Sequence, residues 1–493
     1  MNIKVLLDSS RFAALAWRLG QQLANAPEHG LISITLDLGV CSEDWLITEI
    51  ARPDIFYWAQ PMSDVKNAAN DAPEFGDYRL ALGRAMIFST TGVARFDALQ
   101  AAFNGLLPVW SHDDSEQTGR VAAAHIGFAF EDESRDELPN ARLCVPSILL
   151  QNRAGRCTAT FSCAVREGDK ALARWRAELL EACPLPVAHA ASKLTLTLTA
   201  NKLIRRPSPL SDRAFLAQAR AALNEIERGS LKKVVLTRCA HFESADVLAT
   251  TALLATLARR HAQCTIYGVG QAGSAFIGAT PEHLVSLHNG IVRADALAGT
   301  AWLSATSEAG ALKLQNPKNS HEQQLVVDAV RAALAPLCAT LDPPQAPEIM
   351  QLRALQHLRT RISGRLRAGV DLFDLLAHLH PTPAVGGTPT IAARQWLRAH
   401  GEQRAAWYTG GIGWIDRQGN GEIAVPLRCA NIKGKQAELF AGAGIVAGSD
   451  PVQELAETEV KLGAMMDALL HASGRPFKNE ALASQRDGTN LHG

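Results

Sequence analysis

Apolar and polar positions change period several times along the chain. ITLDL (residues 34–38) and LTLTLT (194–199) alternate strictly and predict strands. AFLAQARAALNEIE (214–227) repeats its apolar positions at helical spacing, with Asp212 placed to cap the helix and Gly229 to stop it. LKKVVLTRCAHF (231–242) returns to strand character, and strands and helices then alternate to about residue 472. The run Arg205-Arg206-Pro207-Ser208-Pro209 is polar and rich in proline, so it marks a boundary. The expected organisation is an N-terminal region (1–204), a main region (205–472) and a polar tail (473–493). No internal repeat is visible.

One glycine pattern misleads. Gly268, Gly270 and Gly273 match G-x-G-x-x-G, but a dinucleotide fingerprint must open a helix. Here the strand-like SAFIGAT follows, so the glycines predict a hairpin turn.

Length and composition narrow the class. The chain has 493 residues, 47% hydrophobic and 20% charged, enough for a large core. Lys+Arg and Asp+Glu both number 49, so no long-range field draws nucleic acid or an anionic membrane. No apolar stretch approaches the length of a membrane span, and the first residues do not read as a signal peptide. The 9 cysteines are scattered without metal-binding spacing, which predicts reduced thiols and a cytoplasmic setting.

The polar groups that stand out lie in the second half. Lys233 opens KVVLTR, Glu282 follows a strand in FIGATPEHL, and DALAGT spans Asp295 to Thr300. Glu322 sits near the start of a helix in NPKNSHEQQLVVDAV, HPTPAVGG spans 380–387, and Arg428 lies in EIAVPLRCA. Gly442 and Gly444 belong to LFAGAGIV. In GSDPVQELAETEVKLGAMMDALL, Asp450 can cap a helix that starts at Pro451. Spacing then puts Glu454, Glu457 and Lys461 on one face, where carboxylates could serve a hard cation. Singly, each has an ordinary structural reading: a solvated strand lysine, a turn glutamate, an ion-paired helix surface.

Together the motifs are far more specific. KVVLTR, PEHL, ALAGT, the Glu322 helix, HPTPAVGG, LRCA, AGAGIV and ExxExxxK, in this order, resemble the chorismate-utilising enzymes, which include isochorismate, salicylate, anthranilate and aminodeoxychorismate synthases. The resemblance covers about residues 205–472, and a looser one around FYWAQP extends it towards the N-terminus. It implies an α+β fold with two packed antiparallel sheets and helices outside, the N-terminal region adding strands to that fold. It implies Lys233 as the base that activates water at ring carbon 2 and Glu282 as the acid that protonates the departing 4-hydroxyl. It implies Mg2+ held by Glu322 and Glu457, with Glu454 reached through water. Arg428 and the Gly442 backbone match the site of the side-chain carboxylate. Thr300, Lys461, Ala298, His357 and Tyr408 complete the implied substrate-binding set.

Two positions discriminate within the family. Anthranilate-type relatives have glutamine where Lys233 stands, and aminodeoxychorismate-type relatives have a nucleophilic lysine where Ala298 stands. Lys233 with Ala298 favours water as nucleophile and the isochorismate type of the menaquinone and siderophore pathways. A salicylate synthase, which goes on to eliminate pyruvate, is the alternative. The expected partner is chorismate alone, on a monomer or weak dimer. Pro426 is expected to bulge the strand of Arg428 or leave it at an edge, and His283 stands where an arginine is common.

Overall fold

A computed structural model of the chain describes residues 10–40, 52–61, 77–133, 138–182, 203–206, 209–302, 317–353 and 355–472. Two large sheets dominate it. One has 13 strands and is centred on the neighbours Lys233–Glu243, Gln436–Val446, Cys429–Lys433, Ser274–Thr280 and Thr265–Gln271. The other has 10 and is centred on Leu355–Leu366, Ile291–Trp302, His283–His288, Gly421–Ala424 and Gly411–Asp416. The first sheet continues through Ile55–Ala59 and Tyr78–Leu82, and the second through Ala123–Phe128 and Ala141–Val145. Strands from before residue 165 thus pair directly with strands from after residue 264 in both sheets. Pairing is antiparallel at these neighbours, while Leu31–Val40 and Trp110–Asp113 run parallel.

Side-chain alternation explains the layering. Phe56, Trp58, Tyr267, Phe276 and Phe440 of the first sheet face Ala123, Ile412, Trp414 and Ala424 of the second in a shared buried core. Burying each large aromatic there is worth about 1.5–3 kcal/mol. Helices cover the outer faces. Ser10–Asn25, Gly168–Ala182, Thr250–Arg260 and Pro451–Ala472 pack on the first sheet. Arg95–Leu106, Pro317–Leu334 and Leu372–Leu379 pack on the second. Among the described residues no helix is long and apolar enough to cross a membrane.

Most of the expected elements are present. ITLDL lies in the strand Leu31–Val40, and the three glycines belong to the hairpin Thr265–Gln271/Ser274–Thr280, not to a nucleotide loop. LTLTLT and the tail 473–493 lie outside the described residues. Three expectations need correction. The helix around 214–227 begins at Pro209, so Asp212 is in its first turn and not at its cap. Proline is well suited to a helix start, and the Asp212 carboxylate is taken by Arg238 of the neighbouring strand. Pro426 and Arg428 do not lie in a strand: they occupy the crossing from Gly421–Ala424 in one sheet to Cys429–Lys433 in the other. A proline, which cannot donate to a ladder, is at ease there. Finally, the thiols are not all reduced, because Cys157 is disulfide-bonded; Cys144, Cys163, Cys239, Cys264, Cys338 and Cys429 are free.

Candidate active site

The site lies where strands pass from one sheet to the other. Thr280 ends a strand of the first sheet and His283 begins one of the second, leaving Pro281 and Glu282 in the crossing. The second crossing, Val425 to Arg428, runs beside it. Val425 N–H donates to the Glu282 carbonyl (3.0 Å), and the Thr280 hydroxyl donates to the Val425 carbonyl (2.6 Å). Two tied crossings therefore hold Glu282 and Arg428 near each other. Arg428 has φ +48°, a left-handed conformation that costs a non-glycine residue energy and concentrates at functional sites.

The other walls come from regular elements. Lys233, the first residue of its strand, is 1% exposed and places Nζ 2.8 Å from Glu322 Oε1. Gly442 and Gly444 face the same side on the adjoining strand. A Cβ at Gly444 would come 2.8 Å from Glu322 Oε1 and 2.8 Å from Lys233 Cε, so glycine makes room for this ion pair. In the second sheet, the register of Ile291–Trp302 slips between Ala298 and Thr300, around Gly299 at φ +67°. This bulge turns Ala298, Gly299 and Thr300 into the pocket together. Gly299 offers its carbonyl to His357 Nδ1 at 3.3 Å, and Arg428 Nη2 lies 3.3 Å from His357 Nε2. Burial, then the positive charge of Arg428, pushes His357 down to about 3, so the ring is neutral at neutral pH and accepts from Arg428 at Nε2.

Two helices supply the remaining charges. Asp450 caps Pro451–Ala472, its Oδ1 accepting from Val452 N–H and Gln453 N–H at 2.9 Å each. From this helix Glu454, Glu457 and Lys461 line the pocket. Lys461 Nζ lies 2.6 Å from Glu457 and donates to the Gly442 carbonyl at 2.8 Å. Glu454 accepts from Lys318 (2.6 Å) and from the Ser449 hydroxyl (2.8 Å). Burial and the neighbouring Glu457 raise the Glu454 carboxyl above its ordinary value. Burial also acts to raise Glu457, but Lys461 outweighs it and holds that carboxyl below the usual range.

All twelve residues singled out in the sequence line this one pocket: Lys233, Glu282, Ala298, Thr300, Glu322, His357, Tyr408, Arg428, Gly442, Glu454, Glu457 and Lys461. Ala384 and Val385 of HPTPAVGG line it too, whereas His380 is buried outside it, 3.1 Å from the Thr409 carbonyl. Sequence reasoning missed Lys318, Asn319 and Ser449. Lys318 stands four residues before Glu322 on the same helix, a spacing that could have revealed it. His283 lies outside the pocket lining and faces Glu422 at 3.8 Å.

Electrostatics divides the acids into two kinds. Glu282 is 6% exposed, and among the described residues no ion pair reaches its carboxyl. Burial pushes it up to about 7 in spite of Lys233, Arg428 and Lys461. Glu322, Glu454 and Glu457 each face a lysine instead. With Glu282 protonated, the lining holds four cations (Lys233, Lys318, Lys461, Arg428) against three carboxylates. That balance suits a small anion, and the pocket presents a proton donor to it. Glu322, Glu454 and Glu457 offer the hard oxygens a magnesium-type ion prefers, although they do not bring three ligand atoms within 4.8 Å of one another. One or two carboxylates suffice for magnesium when water and substrate oxygens complete its shell, so the donor set fits such an ion.

A two-sheet sandwich with a buried acid–base pocket at the crossings defines a class of enzyme, and comparison with known proteins gives the family. The model of the chorismate binding enzymes matches residues 21–470, and the chain belongs to that family. It is 37% identical over 266 residues to the salicylate biosynthesis isochorismate synthase of Pseudomonas aeruginosa, covering 53% of this chain and 56% of that protein. It is 36% identical over 259 residues to isochorismate synthase MenF of Bacillus subtilis, covering 52% and 55%. The matched stretch thus spans about half the length of these two relatives. The solved structure of the menaquinone-specific isochorismate synthase MenF from Escherichia coli shares the fold. Its TM-score is 0.72 at 24% identity, over 93% of this chain and 99% of that one.

Proposed function

We propose that the protein is an isochorismate synthase: it adds water at carbon 2 of chorismate and expels the 4-hydroxyl, with magnesium as cofactor. The observation that carries this reading is one buried pocket holding both Lys233 and a glutamate, Glu282, whose carboxyl is pushed up to about 7.

The chemistry needs both groups. Water is a poor nucleophile and hydroxide a poor leaving group. Lys233, once it has given up a proton, accepts one from water as the new C2–oxygen bond forms. The ring double bonds shift, the C4–oxygen bond breaks, and Glu282 gives its proton to the departing hydroxide, which leaves as water. Arg428 and the Gly442 backbone receive the side-chain carboxylate. His357, neutral and anchored at Gly299, steadies the Arg428 guanidinium. Ala298 leaves open the space that a competing nucleophile would occupy. A magnesium ion held by Glu322 and Glu457, with Glu454 reached through water, would supply positive charge to the ring carboxylate.

The test is an incubation of pure protein with chorismate and magnesium, followed by product separation and a pyruvate assay. Isochorismate without stoichiometric pyruvate is expected. Salicylate and pyruvate together at the turnover rate would install a salicylate synthase instead, and anthranilate formed from added ammonia would contradict both.

A further inference from the structure

We propose that Cys239, His241 and Glu438 form a second metal site, for a zinc-type divalent cation and separate from the carboxylates of the pocket. The three side chains come from the two central strands of the 13-stranded sheet. Cys239 and His241 lie two apart on Lys233–Glu243 and so share a face, and Glu438 stands directly opposite His241 on Gln436–Val446. Their ligand atoms all lie within 4.8 Å of one another, the one such group among the described residues. His241 Nε2 is 3.5 Å from Cys239 Sγ and 3.9 Å from Glu438 Oε1. Zinc bonds of about 2.3 Å to sulfur and about 2.0–2.1 Å to nitrogen or oxygen, at tetrahedral angles, put such ligand atoms about 3.4–3.6 Å apart. These two pairs therefore need to move only by tenths of an ångström, and the third, Cys239 with Glu438, lies within 4.8 Å.

Donor type decides the metal. A thiolate and an imidazole favour zinc over magnesium, while Glu322, Glu454 and Glu457 present only hard oxygen. Three protein ligands leave a fourth position for water, and the site can be reached: the side chains of His241 and Glu438 are 52% and 31% exposed, and Cys239 is partly exposed. Binding displaces the thiol proton to solvent and leaves sulfur as thiolate. Among the described residues the other free cysteines are buried, and loss of the signal in Cys239→Ser is what assigns a metal–thiolate band to Cys239. The site lies behind the pocket wall. Phe440 pairs across from Cys239 and stacks on Tyr408 at 5.3 Å, and both aromatic residues line the pocket.

Cobalt(II) reports on such a site by its spectrum. Full-length protein saturated with magnesium is titrated with cobalt(II) and back-titrated with zinc. One equivalent should give a near-ultraviolet sulfur-to-cobalt band and intense tetrahedral visible bands, both removed by zinc. Cys239→Ser should abolish the near-ultraviolet band. His241→Ala and Glu438→Gln should each weaken binding at least about tenfold, all three variants keeping the wild-type circular dichroism. No band, a band that survives Cys239→Ser, or a band indifferent to His241→Ala and Glu438→Gln would overturn the proposal. Turnover of chorismate plays no part in the readout, so failure here leaves the proposed reaction untouched.

Discussion

At the scale of single residues, the account rests on two buried groups with opposite tasks. Lys233→Gln removes the base and should lower kcat by about 10²-fold or more while the protein stays folded. A kcat within a few-fold of wild type would remove Lys233 from the mechanism. Glu282 acts in its protonated form, and burial sets its titration at about 7. The protonated fraction is full below that pH and falls above it, so kcat/KM should decline as pH rises through about 7. Glu282→Gln should lose most activity and, with it, this alkaline limb. A profile that stays flat there would show that another group donates the proton. These residues were legible because their motifs are contiguous: KVVLTR and PEHL carry Lys233 and Glu282 in recognisable surroundings. Lys318 was half legible, since its spacing from Glu322 points to the site but not to Glu454, the carboxylate it meets, and Ser449 was not legible because nothing local says which carboxylate a serine will meet.

At the scale of elements, the site depends on how strands and helices present their ends. The Asp450 cap starts the helix that carries Glu454, Glu457 and Lys461. Asp450→Ala should cost about 1 kcal/mol of stability, read as a lowered Tm. Gly444→Ala should behave differently. The atoms its methyl would meet are the ends of the Lys233 and Glu322 side chains, which can move aside. Stability should change little, but displacing Lys233 by about 1 Å should cost about 10²-fold in kcat. Normal turnover in Gly444→Ala would mean that the placement of Lys233 seen here is not the one the reaction uses. Strand periodicity was readable in advance, as Lys233–Glu243 illustrates, and so was the Asp450 cap, whereas the Asp212 cap was not, because the helix starts earlier at Pro209. The crossings were not. Arg428 reads as a strand residue because apolar neighbours surround it, yet those neighbours are buried where the chain changes sheets. Hydropathy records burial without recording direction.

At the scale of the whole molecule, the two sheets meet in an aromatic core, and the site occupies the place where the chain passes between them. The zero net charge of the chain hides a pocket with one positive charge in excess once Glu282 is protonated. Composition could not reveal that local imbalance, and the pairing of N-terminal strands with strands after residue 264 is equally invisible to local patterns. If magnesium belongs in the pocket, excess EDTA should abolish turnover without unfolding the protein, and magnesium alone should restore it. Full activity in excess EDTA would contradict the metal's role. The central claim is that Lys233 delivers solvent water to carbon 2 while Glu282 expels the 4-hydroxyl. It is tested most directly by running the reaction in 18O-labelled water and locating the label in isochorismate at early times, before the reverse reaction mixes oxygens. One 18O per molecule, at the 2-hydroxyl, is the predicted result. Unlabelled isochorismate, its oxygen carried over from carbon 4, would contradict the account.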